Sequence, residues 1–538
     1  MNRRTFLSTT SAALGAAAFP SLAIVEGQDD FDVVVYGGVP CGIAAAIAAS
    51  REGARVLLIE PTQHVGGLNT SGLNTAETEH MLKWTFGGIA REVYERIGRH
   101  YAKWEPAYYF ESHVAEKVFN DMLAEAKVTV RFGKRVEVVE KVGARIRSIG
   151  LNGGTMITAK VFVDAGYEGD LMARAGVSYT FGRESRAEFG EEKAGISFDP
   201  PRKAATVDEA GKLLPGISGW ARDFHEGDGD MRVMNYNWRL TFSNDPATRV
   251  PIPPPQRYDR ARFRLLENWL REMTAGGTDV KLTDILDLYT HAPGRKDKKE
   301  VNNKQAAIIS IGHFGGQFDY PDGDYATRER VVADHTDYTL GLLHFLAHDE
   351  SVPEKLRAEM RQYGLHREEF ADNGHWPYQL YVREARRMRG AFVVTQRDVT
   401  DDRRKPDSIA MGSHFVDSHH VQRLALSPTE FVNEGRIWLD GWAYQIPYRA
   451  ITPKAEECAN LLVPGAASYT HVAFCTLRLE STWMMVGHAA GVAAARAAKS
   501  GKAVQDLIVA NLQERLRAQG QVIDFLPDQP EKFVHPKK

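Results

Sequence analysis

DFDVVVYGGVPCGIAAAIAASREGARVLLIEPTQHVGGL, residues 30–68, decides the fold of this chain. Val33, Val34 and Val35 form a continuous apolar run, the pattern of a parallel strand buried on both faces. Gly37, Gly38 and Gly42 then turn the chain into a helix of mostly Ala and Ile over residues 43–50. Gly37 permits a tight turn, and Gly42 lets the helix lie close to the strand. The free N–H groups at the helix start face the place a pyrophosphate would take. A second strand, residues 56–59, ends at Glu60, about 20 residues past the glycines, where a carboxylate can accept from a ribose hydroxyl. This is the layout of a dinucleotide-binding βαβ unit. Val39 departs from G-x-G-x-x-G: it stands where glycine normally lets backbone approach the phosphates, so its side chain must point away from them. On these residues alone an ordinary α/β turn is the alternative, and Glu60 with Gly66-Gly67 argues against it.

Further segments extend the pattern. They are His64-Val65-Gly66-Gly67-Leu68 with Thr70-Ser71-Gly72-Leu73, then VFVDAGYEGDLMARAGVSY (161–179), which contains Ala165 and Gly166. DSHHVQR (417–423), YQIPYRAITPK (444–454) and SYTHVAFCTLRLESTWMMVGHAAGVAAARAA (468–498) complete it. Together, from about residue 31 to about residue 520, the chain resembles the FAD-dependent oxidoreductase family of glutathione-reductase-like fold. The resemblance implies an α/β fold: a discontinuous Rossmann-like FAD-binding domain (31–185 and 455–520) with an inserted α+β substrate or cap domain (186–454). It implies FAD as cofactor, with Gly66, Gly67, Leu68, Ser71, Ala165 and Gly166 beside it and backbone at Val136 against adenine. In that fold the helix after Arg478-Leu479 points its N-terminus, Glu480, Ser481 and Thr482, at the flavin; its free N–H groups, counted here as Ser481, Thr482 and Trp483, would stabilise developing negative charge.

The first 23 residues read as a leader. Arg3-Arg4-Thr5-Phe6-Leu7 suggests twin-arginine export, residues 12–19 are a short apolar stretch, and Ser21-Leu22-Ala23 is a plausible cleavage site. No other segment approaches a membrane span, so the expectation is an exported protein, periplasmic or extracellular, with a polar tail at 521–538. Net charge is only −3 over 538 residues, which gives no footprint for nucleic acid. The three cysteines form no C-x-x-C pair, which argues against a redox-active disulfide.

Local patterns predict helices over 87–101, 112–126, 334–347, 354–363, 482–498 and 504–519, and a hairpin of 129–140 with 145–151. A second glycine turn at 312–316 is followed by residues that will not start a helix, so no second nucleotide site is expected and reduction by NAD(P)H has no place to occur.

Oxidation of an alcohol or amine at a flavin needs a base. His419 and His420 are the first candidates, with Asp417 and Arg423 near in sequence, and His471 is another. Each can equally be a structural hydrogen-bonding histidine. Tyr444, Tyr448 and Arg449 are expected to line the pocket, Arg449 holding an anion or an internal ion pair. Arg383, Arg386 and Arg387 read as a charged helix face. His344 and His348, four apart, lack the H-E-x-x-H pattern, so no metal is expected. The substrate expected is a small polar molecule, a carbohydrate-like alcohol being the first guess from the aromatic-rich cap, and the electron acceptor stays open. Two other readings remain open: a flavin-fold protein that no longer turns over, for which Val39 is the support, and a reductase fed by a partner electron carrier.

Overall fold

The structure is a computed structural model that describes residues 30–75 and 77–534; the leader at 1–23 and the end of the tail lie outside them. β1 (Asp30–Tyr36), α1 (Pro40–Arg51) and β2 (Val56–Glu60) form the βαβ unit, followed by α2 (Gly88–His100) and α3 (Ser112–Glu125). β3 (Thr129–Phe132), β4 (Val136–Val142), β5 (Arg145–Leu151) and β6 (Met156–Asp164) complete the sheet, in the order β3-β2-β1-β6-β5-β4. β3, β2, β1 and β6 are parallel, with Val33 opposite both Val56 and Val161. β2, most of β1 and the second half of β6 are buried on both faces, as the centre of a parallel sheet covered by helices requires, while the edge strand β3 stays partly exposed. The expected hairpin is corrected in one respect. Residues 129–132 join the parallel edge beside β2, and only β4 pairs with β5 around Gly143.

The inserted region holds a five-stranded antiparallel sheet. Its strands are β7 (Leu240–Ser243), β8 (Arg249–Val250), β9 (Leu286–Tyr289), β10 (Lys299–Asn303) and β11 (Gly364–His366), in the order β8-β11-β7-β10-β9. The long helix α4 (Tyr325–His348) begins well before residue 334, because the Asp324 side chain caps it by accepting from Thr327 N–H at 2.7 Å. The chain then returns to the first sheet: β12 (Leu461–Leu462) pairs in parallel with β6. α5 (Glu480–Ser500) lies on α1 so closely that a Cβ on Gly487 would stand 2.0 Å from the Cys41 carbonyl oxygen, and one on Gly491 2.1 Å from that of Ala45. The expected helix at 504–519 is instead a 3₁₀ turn, Val504–Asp506, and a helix, Val509–Ala518.

Residues 381–390 are not a helix face. They run extended, and Arg383, Arg386 and Arg387 are buried. Asp170 accepts from both Arg386 and Arg328 at 2.8 Å, and Glu184 accepts from Arg387 at 2.7 Å. Partners remote in sequence thus neutralise a run that looks solvent-facing by its spacing.

Candidate active site

A cleft of about 430 Å³ opens at the C-terminal ends of β1, β2 and β6, lined by Gly37, Val39, Glu60, Gly166, Arg135 and Tyr325 among others. This is where the crevice of a doubly wound sheet binds ligands. Gly37 has φ +100°, and a Cβ there would meet Gly166 N at 2.7 Å; Ala165 closes the same contact. A Cβ on Gly42 would stand 1.9 Å from the Gly37 carbonyl oxygen. Val39 occupies the N-cap of α1 with φ −75° and ψ 168°, extended backbone open to any residue. It offers no side-chain cap, and Pro40 brings no N–H, so the first turn keeps its remaining donors for a ligand.

Glu60 accepts from Gly38 N–H and Thr62 N–H, each at 2.7 Å, and so fixes the glycine turn from below. Its burial lifts the carboxyl to about pH 7. The Val136 carbonyl oxygen accepts from the hydroxyl of Tyr325, which lines the cleft, at 2.7 Å. Tyr325 and Arg328, at the start of α4, form a wall that the sequence reading missed.

Gly66 and Gly67 both have positive φ and carry the chain into Leu68. Leu68 N–H donates to the Tyr167 hydroxyl at 3.1 Å, and that hydroxyl donates to Glu480 Oε1 at 2.5 Å. Tyr167 thereby ties the second glycine segment to the N-terminus of α5. Ser481 pairs with the Tyr94 hydroxyl at 2.6 Å. Trp483 N–H donates to the Leu479 carbonyl at 2.9 Å, so it is already engaged within the helix, contrary to expectation. Four buried oxygens on these two tied segments have no hydrogen-bond partner: Asn69 Oδ1, Ser71 Oγ, Glu480 Oε2 and Thr482 Oγ1. Each unsatisfied buried group costs about 1–3 kcal/mol, so the cluster calls for a polar ligand. Cleft, backbone donors and orphaned oxygens together fit FAD.

A second cavity, about 600 Å³, lies across the extended chain that leads into β7. Trp238 lines the cleft, and its neighbour Arg239 lines this cavity, as alternation along extended backbone dictates. His419 faces the cavity too. Its Nδ1 has no partner and its Nε2 stands 3.9 Å from Asp417 Oδ2. Burial first, then Arg383 and Arg478, holds it well below the usual histidine range, so the ring is neutral at pH 7. Burial raises Asp417 to about 7, against the pull of Arg478.

The other candidate bases sit elsewhere. His420 Nε2 is committed to Asp199 at 2.7 Å, and His471 Nδ1 to buried Glu384 at 2.8 Å. Tyr448 and Arg449 are not brought to either cavity: the Tyr448 hydroxyl donates to the Val504 carbonyl, and Arg449 is half-exposed over the Phe392 ring. His344 and His348 meet on α4 with ring centroids 4.7 Å apart and tilted by 44°. Among the described residues one trio, Glu111, His113 and Glu369, has ligand-like spacing, and the Lys298 ammonium already bridges its two carboxylates.

A family model bears out the cofactor half of this picture. The model of a family described as FAD dependent oxidoreductase matches residues 32–516. An NADH:fumarate oxidoreductase of Klebsiella pneumoniae (strain 342) is 46% identical over 67 residues, 11% of this chain and only 7% of that protein. A triple mutant of the flavin-dependent brominase Bmp2 aligns over 91% of this chain and 84% of its own, at 10% identity and a TM-score of 0.34. The thioredoxin reductase of T. acidophilum covers 26% of this chain and 35% of its own, at 21% identity and a TM-score of 0.18.

Proposed function

Since this chain belongs to the FAD-dependent oxidoreductase family, we propose that it is an exported enzyme that oxidises a small polar organic substrate by hydride transfer to the flavin. The observation that carries the reading is the neutral His419, with an unpartnered Nδ1, in a cavity one residue across the chain from the cofactor cleft. Bound FAD supplies the acceptor for the hydride, two electrons and a proton, that leaves the substrate carbon. His419 takes the hydroxyl proton as the C–O bond becomes C=O. Gly37, Val39 and the first turn of α1 hold the pyrophosphate, and Glu60 orients the ribose. The N-terminus of α5 would supply the N–H groups of Ser481 and Thr482 to stabilise negative charge on a bound flavin. Val39 gives little support to a non-catalytic alternative, because its backbone is unstrained and leaves the helix donors clear.

Export rests on Arg3-Arg4 and the apolar stretch after them. No helix among the described residues is long and apolar enough to cross a membrane. Changing Arg3→Lys together with Arg4→Lys should leave the flavoprotein in the cytoplasm of a twin-arginine-competent host; fractionation checks this. The test of function is an anaerobic spectrum of the purified flavoprotein with a panel of alcohols, amines and hydroxy acids. Bleaching by one compound supports substrate oxidation; a bound flavin that none of them bleaches overturns it.

A further inference from the structure

The cavity that His419 faces is richer in guanidinium than in committed carboxylate. Arg239 and Arg436 line it. Arg383 and Arg478 stand directly behind, both buried, and their charges reach Glu77, Asp417 and His419. Arg383 gives its hydrogen bonds to neutral groups, the Asn235 carbonyl and the Asn237 amide oxygen. The Nε atoms of Arg239, Arg383 and Arg478 are all buried with no partner.

On the acidic side, Glu300 pairs with Arg239 and also takes His291 Nδ1 at 2.9 Å. Asp287 pairs with Lys304 at 3.2 Å. In spite of its burial, Glu77 is held below its ordinary value by Arg478, Arg239 and Arg383. It sits at φ 54°, a left-handed conformation rare for a residue with a side chain, and accepts from the Tyr381 hydroxyl at 3.3 Å. Burial raises Asp417 to about 7, so at neutral pH it supplies less than full charge, and burial raises the Glu79 carboxyl too. His414 is pushed down to about 4 by burial and His291 likewise to about 4, so neither adds positive charge. Four guanidiniums therefore face two firmly committed acids, Glu77 and Glu300, and the partly ionised Asp417, which Arg478 reaches at 3.5 Å. Buried charge without a counter-ion is expensive, and an arginine fork matches a carboxylate in shape as well as sign.

We infer that this cavity takes a small organic carboxylate, its anionic group held by Arg239 and Arg436 and its oxidisable carbon directed at His419. The inference rests on the substrate-oxidation reading and narrows it. A neutral sugar would leave the surplus positive charge uncompensated, although Tyr289 and Trp438 offer the flat faces that sugars use. Arg436 is the adjustable member, since it is exposed and lies over the Trp438 ring at 5.6 Å.

The experiment uses the purified flavoprotein with two sets of probes. Glycolate, lactate and malate are compared anaerobically with glycolamide, lactamide and glucose, and malonate is titrated as an unreactive dianion while the oxidised flavin spectrum is followed. The expected result is bleaching by an acid and none by its amide, and a saturable malonate shift whose Kd rises about tenfold in Arg436→Gln, from the loss of about 1.4 kcal/mol. The variant should keep its full FAD content. Bleaching by neutral compounds with no response to malonate overturns the carboxylate inference and leaves the oxidoreductase reading standing. A malonate shift that Arg436→Gln weakens, with no probe bleaching the flavin, supports the anion site and overturns substrate oxidation. Absence of both bleaching by acids and a malonate shift overturns the inference.

Discussion

The cofactor cleft and the cavity beyond it are built from opposite materials. The floor of the cleft is made of backbone, its glycine turns and the unsatisfied N-terminus of α1, with Tyr325 and Arg328 as a wall. Its ligand is recognised by groups every residue possesses, so the sequence must provide mainly the absence of side chains. The cavity is made of side chains, Arg239, Glu77, Asp417 and His419, drawn from segments hundreds of residues apart and held by buried ion pairs. Backbone recognition suits a cofactor shared by many reactions, whereas a cavity built from side chains is the kind of site that can distinguish one substrate from another.

Three changes would break or sharpen that contrast. The largest effect should come from the cavity. His419→Asn should slow anaerobic bleaching by about 10²–10⁴-fold, the usual worth of a positioned base, while bound FAD stays at wild-type stoichiometry. Loss of FAD along with the rate would show that the two regions are not separable. Next comes the packing behind the cleft. Gly487→Val puts a side chain where the Cys41 carbonyl already stands, and should destabilise the fold by about 1–3 kcal/mol, read from denaturant unfolding, with FAD content falling in parallel.

The smallest effect is electrostatic. Burial raises Glu60, Asp164 and Asp417 to about 7 and Glu480 to about 8. A carboxyl whose folded pKa lies above its unfolded value leaves the folded state holding more protons, so stability falls as pH rises through the folded value. The lowered histidines act the other way, but only below their ordinary value of 6.5, and Lys83, lowered to about 8 by burial, opposes the four carboxyls only in part, so the carboxyls set the sign between pH 7 and 8. The flavin-free protein should therefore melt at a lower temperature at pH 8 than at pH 7. Glu480→Gln should flatten that slope; an unchanged slope would place the proton on the other three groups.

What could be read from the sequence follows the same division. The βαβ unit, the two glycine segments and the small-residue face of α5 were legible because spacing along the chain is itself the structural signal. Arg383, Arg386 and Arg387 were misread because their spacing imitates a helix surface, while the partners that bury them, Asp170, Glu184 and Asn235, lie far away in sequence. The early start of α4 had a local signal, Asp324 three residues before Thr327, which the apolar pattern downstream overshadowed. Of the candidate bases, adjacent His419 and His420 could not be told apart by sequence, because extended backbone sends neighbours to opposite sides. One meets Asp199 and the other a cavity.

The seat of α5 on α1 also sets a timetable for synthesis. Gly487 and Gly491 close over Cys41 and Ala45, so the nucleotide-binding unit gains its second cover only after roughly 430 more residues have followed α1 out of the ribosome. At about 5–20 residues per second, that is a wait of roughly 20–90 s during which the Ala-rich face of α1 has no permanent partner. The interval is one in which a chaperone has work to do, and closure of this one helix pair is what ends it.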